Sequence, residues 1–352
     1  MSTLQVKVRE IKEIKSHSNA DRLELATVEG WQCVVPKGRY DAGDMVVYFP
    51  PDTVLSQEWT DKFGVTNYCQ KTDQGMRIRQ ARLRGEPSFG LVVDMPDMSG
   101  DWVVGFDAAE FYGAKKYEPP VLGKSGDILG NNHALFDKFT EIENLRNFPD
   151  ILIPGEEVIC TEKIHGTQVR GCYIREGGRS SLFWGSKNHP RKKPETEEEM
   201  KSNFYWYPWT LAPVRSLMTS LHILKNYNVV QVIGETYGRV QSLRYGLNSL
   251  AFRLFALKLD GKYIDFDERM EICNRHGVSC VPVIYRGPFD IEKIKEISNG
   301  NTLVADVEQI REGVVVQPVV ERTDPRVGRV ILKYVGDDYL LSKNPDKDTT
   351  DA

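Results

Sequence analysis

The 352-residue chain has no uninterrupted apolar run near the roughly 18 residues that a membrane-spanning helix needs. Its opening stretch, Met1-Ser2-Thr3-Leu4-Gln5-Val6-Lys7-Val8-Arg9, is charged from Lys7 onward and lacks the apolar segment of a secretory signal. A cytoplasmic protein with no membrane partner is the expectation. Cysteine is scarce. The six present (Cys33, Cys69, Cys160, Cys172, Cys273 and Cys280) form no Cys-x-x-Cys pair and match no zinc spacing. They are expected to be reduced and mostly buried, packing as small hydrophobes. Positive charge is not in excess either: 46 Lys and Arg face 50 Asp and Glu, a net charge of −4. Global attraction to nucleic acid is therefore absent, while local basic patches stay open. No internal repeat is visible, and the one low-complexity stretch, Arg191 to Glu199, reads as a mobile surface loop. What is there, 40% hydrophobic and 27% charged residues, excludes wholesale disorder, collagen and a coiled-coil rod. At roughly 100–200 residues per domain, the length predicts two domains.

The first hundred or so residues read as strands. Leu4–Val8, Leu23–Val28, Trp31–Pro36 and Met45–Phe49 are short, rich in Val, Leu and aromatics, and separated by turn residues such as Glu29-Gly30 and Lys37-Gly38. Met76–Leu83 and Phe89–Val93 bracket Arg84-Gly85-Glu86-Pro87-Ser88. A small all-β barrel over residues 1–112 follows, with OB-like architecture the leading option. Residues 113–134 lose periodicity and gain Gly, Pro and Asn, the mark of a linker. Gly123-Lys124-Ser125 within it resembles the end of a phosphate-binding loop, but position 118 is Glu where that motif needs Gly. In residues 135–352, Val214, Leu217, Met218, Leu221 and Leu224 share one helical face, as do Ile291, Ile294 and Ile297. Val229–Ile233, Leu254–Leu259 and Gly313–Val316 read as buried strands. The irregular alternation predicts an α+β domain.

The sharper signal is a set of spaced elements. Thr161-Glu162-Lys163-Ile164-His165-Gly166-Thr167 follows the apolar Val158-Ile159-Cys160, so the lysine ends a strand and the glycine lets backbone and phosphate approach. Then come Gly185-Ser186-Lys187-Asn188, Val232-Ile233-Gly234-Glu235, Leu254-Phe255-Ala256-Leu257, Ile310-Arg311-Glu312-Gly313 and Val330-Ile331-Leu332-Lys333. Two carboxylates at strand ends suit a hard divalent cation. A second lysine neutralises phosphates, and an aromatic stacks a base. A buried lysine beside other cations loses its proton more readily and becomes a nucleophile. This is the equipment for phosphoryl transfer through a covalent lysine adduct.

In this order the elements resemble the covalent nucleotidyltransferases, the superfamily of nucleic-acid ligases and mRNA capping enzymes. Glu162-Lys163-Ile164-His165-Gly166-Thr167 is similar to the version found in RNA ligases that seal nicks in duplexes, and the likeness spans about residues 135–340. Leu83-Arg84-Gly85-Glu86-Pro87-Ser88-Phe89-Gly90-Leu91 resembles the OB-like domain placed before the catalytic domain in one subgroup. The resemblance implies an ATP-grasp-like ligase domain with antiparallel sheets. It implies that Lys163 receives AMP, that Glu162 helps hold adenine, and that His165 and Gly166 shape the phosphate pocket. Lys187 would contact ribose or phosphate, Glu235 the ribose hydroxyls or metal-bound water, and Lys333 the phosphates. Phe255 would stack on adenine, although a strand-centre phenylalanine is as often core. Glu312, with Glu235, would bind Mg2+ or Mn2+.

Two departures from the family pattern stand out. The family's last motif often has two lysines one residue apart. Here Lys333 is preceded by Ile331 and followed by Val335, so one cation is lost or another side chain such as Arg329 supplies it. Gln168 stands where Asn is usual. The implied reaction is ATP-dependent joining of a 3′-OH to a 5′-phosphate in a nicked, RNA-containing duplex by a monomer. A free lysine has a pKa of roughly 10.4, so the adenylylation step is expected to need divalent metal and to rise toward alkaline pH. Arg77, Arg79, Arg82 and Arg84 read either as a phosphate-tracking face or as a solvated strand. Lys192 and Lys193, followed by Tyr205-Trp206-Tyr207-Pro208-Trp209, read as end-binding residues or as loop and core. A capping guanylyltransferase and a catalytically inactive nucleic-acid-binding module are the rival functions. The 19 residues after Lys333 are too few for the barrel that follows the last motif in capping enzymes.

Overall fold

The long strand Lys7–Ser16 organises the N-terminal domain by serving two partners. Lys7 to Glu10 pair with Met45–Phe49, and Ile11 to Ser16 pair with Leu23–Val28, with a bulge between Ile11 and Glu13. A bulge bends and twists a strand, and here it curls a five-stranded antiparallel sheet whose outer members are Leu91–Asp94 and Trp31–Pro36. Along Trp31–Pro36 the alternation is plain: Trp31, Cys33 and Val35 are buried while Gln32 and Val34 are less so. The computed structural model describes residues 4–97, 100, 102–117, 128–130 and 133–342.

A second small sheet runs in the order Lys115–Lys116, Thr53–Leu55, Gly75–Arg77, Gln70–Thr72. The start of the expected linker therefore pairs with the barrel, and Tyr117 N adds a bond to Asp52 O at 2.8 Å. Residues 118–127 and 131–132, which include Gly123-Lys124-Ser125, lie outside the described residues. The strand expected over Met76–Leu83 breaks at Ile78-Arg79, and its second half forms a hairpin with Glu86–Phe89.

The second domain pairs two sheets. A six-stranded antiparallel sheet is ordered Pro190–Arg191, Arg179–Ser186, Thr167–Glu176, Val229–Gly238, Leu250–Leu259, Lys262–Tyr263. A five-stranded sheet is ordered Glu143–Asn144, Leu332–Val335, Gly313–Pro318, Glu157–Lys163, Val283–Pro288, with the first pair parallel. Helices Ala212–Thr219 and Phe266–His276 contribute to the core that backs the larger sheet, and Ile291–Ser298 packs on the smaller. Val214, Leu217, Met218 and Leu221 are buried as their spacing predicts, but Leu224 is 77% exposed. Ser220–Leu224 winds as a π-turn, which rotates Leu224 off the face.

The domains are not separately cored. One hydrophobic cluster contains Val28, Trp31, Val46 and Phe89 from the barrel together with Ile164, Tyr245, Val335 and Tyr339. The buried Arg146 guanidinium lies 4.7 Å from the Trp31 ring and 4.2 Å from the Tyr334 ring, and pairs with Asp337 at 2.5 Å. Trp31 Nε1 donates to Asn147 Oδ1 at 2.9 Å. This seam sets the barrel against the edge of the five-stranded sheet.

Candidate active site

Strand register brings the motif residues together. Lys163 closes its strand opposite Gly313, so Glu312 arrives one residue before the neighbouring strand begins. Lys163 Nζ donates to Glu312 Oε1, and Glu312 is fully buried while the lysine side chain keeps 21% exposure. The other carboxylate oxygen lies 3.6 Å from His165 Nδ1. Gly166 follows in a turn so close to the six-stranded sheet that an added Cβ would sit 2.4 Å from Thr236 O. That contact presses the turn against the strand carrying Glu235, which is itself in register with Gln168.

Phe255 is placed by an irregularity. Ile233 pairs with Ala256 and Gly234 with Leu254, so Phe255 is the extra residue of a bulge. Bulges re-aim side chains; this one leaves Phe255 half-buried in the cavity wall, edge-on to Phe139 at 5.2 Å. Lys333 is nearly buried in the five-stranded sheet, opposite Val315 and beside Asn144.

All of these side chains border one cavity of about 430 Å³ between the domains, within the few-hundred Å³ range of small-ligand sites. Lys163, Glu162, His165, Gly166, Lys187, Glu235, Phe255, Glu312 and Lys333 line it. So do Arg9, Glu29, Asp52 and Lys116 from the barrel, none of which the sequence motifs pointed to. Burial pushes the Asp52 carboxyl up to about 6, against the opposing pull of its partner Arg77 at 2.6 Å. Burial likewise raises Glu29, which pairs with Arg9 at 2.6 Å.

Glu162 is turned to other work. It alternates to the opposite side of the strand from Lys163, accepts from the Thr302 hydroxyl and from Leu303 N at 2.7 Å, and is raised chiefly by burial. Its bonds hold the 302–304 segment. Ile331 packs with Phe139, Ile233 and Ala256, and Val335 is buried in the inter-domain cluster, so both positions at that spacing from Lys333 are apolar contacts. Arg329 binds Glu321 and lies 3.9 Å from the Tyr263 ring, away from the cavity lining. Lys116 is the further lysine in the wall. Lys187 pairs with Glu141 at the rim.

The surface residues divide. Arg77 is buried in its pair with Asp52, so it is not part of a basic face; strand alternation could not reveal a buried carboxylate 25 residues upstream. Arg79, Arg82, Arg84, Lys192 and Lys193 are exposed. Trp206 is core, with Tyr205, Tyr207 and Trp209 packed around it. Among the described residues no three His, Cys, Asp or Glu side chains form a metal-ligating group. Glu235 and Glu312 would therefore hold a cation with help from phosphate or water oxygens, as hard cations permit.

A protein-family model described as RNA ligase matches residues 156–335, just over half of the chain. The chain belongs to the RNA ligase family. An OB-fold domain model matches residues 5–95. No curated protein matches this RNA ligase family member. Among solved structures, Naegleria gruberi RNA ligase with PPi is 25% identical with a TM-score of 0.75, covering 97% of this chain and 98% of that one. A lysine-to-alanine mutant of the same enzyme with ATP and Mn is 25% identical with a TM-score of 0.76, covering 96% and 98%. The fold is thus an N-terminal OB-fold domain joined to a nucleotidyltransferase-type ligase domain.

Proposed function

We propose that the chain is an ATP-dependent RNA ligase that seals nicks in RNA-containing duplexes through a covalent Lys163–AMP. The observation that carries this reading is Lys163 Nζ held by the buried Glu312 inside a cavity closed by both domains. The structures of the Naegleria enzyme with ATP and Mn, and with AMP and Mn, support ATP and a divalent cation as reactants here. Glu312 and Glu235 fit such a cation by their oxygen donors and their place in the cavity wall, Glu312 just before one strand and Glu235 within another. When bound it would neutralise phosphate charge and favour the unprotonated lysine.

In the first step Lys163 Nζ attacks the α-phosphate of ATP, a P–N bond forms, and pyrophosphate leaves. The AMP then passes to a 5′-phosphate, freeing Lys163. A 3′-OH finally attacks that activated phosphate and AMP departs. Each displacement is in line, so positioning and charge neutralisation carry the catalysis. Lys333 and Lys187 are the phosphate and ribose contacts, and Phe255 the adenine platform. Glu162 acts by fixing the 302–304 segment beside the base site. Gly166 admits phosphate next to the backbone.

The test is incubation with Mg2+ and either α-labelled ATP or GTP, followed by intact mass, with Lys163→Ala in parallel. Label from ATP alone, absent in the variant, is expected. Labelling by GTP would move the reading to a guanylyltransferase. Sealing of nicked duplexes with ribose or deoxyribose 3′ ends then defines the substrate.

A further inference from the structure

His165 is fastened at two points by two tyrosines far apart in the chain. Its backbone N donates to Tyr245 Oη at 2.7 Å, and its ring Nδ1 lies 3.3 Å from Tyr339 Oη. Both tyrosines are essentially fully buried, 1% and 0% exposed. Neither belongs to a motif that the proposed chemistry uses.

Three features show that the arrangement is built rather than incidental. Tyr245 adopts φ 54°, a left-handed conformation that is strained for a bulky residue and persists only where its surroundings impose it. The imposition is visible: Tyr245 N donates to Gln309 Oε1 at 2.9 Å. The next residue, Gly246 (φ 70°), lies so close to Val307 that a Cβ would sit 2.7 Å from its Cγ1. On the other side, Gly336 N donates to Glu312 O at 2.9 Å, Asp338 N donates to Asn299 Oδ1 at 3.1 Å, and Asp337 binds Arg146. The helix Asp337–Leu341 is thereby tied to Glu312 and to the domain seam, with Tyr339 facing His165. Finally, His165 Nε2 is buried and has no hydrogen-bond partner among the described residues, although the residue lines the nucleotide cavity. One ring nitrogen of His165 is thus available to a ligand or water atom.

We propose that Tyr245 and Tyr339 are positioning residues of the ligase reaction, the first fixing the peptide of the Lys163–Gly166 turn and the second fixing the rotamer of His165. That rotamer keeps Nδ1 beside the Glu312 carboxylate, 3.6 Å away, which sets its tautomer. The inference rests on the nucleotidyltransferase reading of the cavity. It adds that His165 is aimed from the inter-domain cluster. Ile164, Tyr245 and Tyr339 all lie in the cluster that the barrel completes. Docking of the barrel and orientation of the histidine are then one event.

The test uses the full-length protein, uniformly 15N-labelled, with His165→Asn to assign its ring signals. Long-range 1H–15N spectra report the tautomer directly. In Tyr339→Phe the His165 Nδ1 and Nε2 shifts are expected to move toward tautomer averaging. Single-turnover adenylylation of Lys163 should fall roughly tenfold with ATP affinity unchanged, as expected when a reacting group is misplaced rather than removed. Tyr245→Phe should slow the same step while leaving the ring shifts in place. If either variant folds poorly, the pairing of Tyr339→Phe with His165→Ala decides. A clamp acting through the imidazole adds no further loss to His165→Ala, whereas full additivity overturns it. Unchanged ring shifts in Tyr339→Phe together with unchanged rates in both variants also overturn it. A wild-type protein that takes no label from ATP would sink the ligase reading instead, and the spectra would still judge the clamp.

Discussion

The two domains contribute to one cavity in opposite ways. The ligase domain presents Lys163, Glu312, Glu235 and Lys333 from strands whose register aligns them. Each stands within a short motif. The barrel presents Arg9, Asp52 and Lys116 from separate strands and a turn, with no motif around them. Chemistry made by adjacent strands leaves a local signature, whereas a wall made by docking leaves none.

Lys163→Ala probes the ligase side hardest. It should abolish adenylylation, read by intact mass after incubation with ATP, while the circular dichroism spectrum stays native. A residual AMP adduct on the variant would place the nucleophile elsewhere.

Removing the barrel is the matching test from the other side. Residues 113–352 alone would expose their half of the shared cluster, so loss of sealing together with aggregation seen in light scattering is expected. Sealing at the full rate by that fragment would mean that the barrel wall is dispensable.

Asp52 gives a smaller and pH-dependent effect. Its folded pKa, about 6, lies above the usual carboxyl value near 3.8. The folded state therefore holds this proton more tightly, and the group's contribution is greatest below pH 4. It declines as pH rises toward 6, by about 2–3 kcal/mol, and is flat above. Asp52→Asn should remove that decline from denaturation curves measured between pH 4 and 7. The same slope in variant and wild type would assign it to another group.

Arg146→Ala should lower stability by about 2 kcal/mol, because it deletes a buried cation stacked on Trp31 and Tyr334. Chemical denaturation measures this. The smallest effect belongs to the exposed arginines. If Arg82 or Arg84 touches a phosphate, its change to Ala should weaken duplex binding uniformly and reduce the salt slope by about one. An unaltered slope would return the hairpin to plain solvated surface.

The strands of the barrel were largely legible, since Leu23–Val28, Trp31–Pro36 and Met45–Phe49 coincide with their apolar runs. The helix Phe266–His276 was not, because its buried positions Phe266, Arg269 and Cys273 include a charge that a hydrophobic count reads as surface. The nine residues read for the nucleotide site do line one cavity, and each sits in a short run whose apolar neighbours form or flank a strand. The bonds of Glu162 to Thr302 and Leu303 were not legible, because those partners lie about 140 positions away. Arg77 differed because its partner Asp52 lies in a turn 25 positions earlier. Tyr245 and Tyr339 stayed hidden: a left-handed backbone at a tyrosine has no compositional cue, and a contact across 174 positions has no local one.

That last separation has a consequence for biosynthesis. The contacts that close the seam join Trp31 to Asn147, Arg146 to Asp337 and His165 to Tyr339, across 116, 191 and 174 positions. At roughly 5–20 residues per second on the ribosome, on the order of ten seconds or more separate the emergence of Lys163 from that of Tyr339. During that interval the nascent chain carries Lys163 and His165 without the helix that bears Tyr339, and the barrel carries an uncovered apolar face. The cavity takes its full form only once Tyr339 has emerged, and until then the apolar face of the barrel waits for its cover.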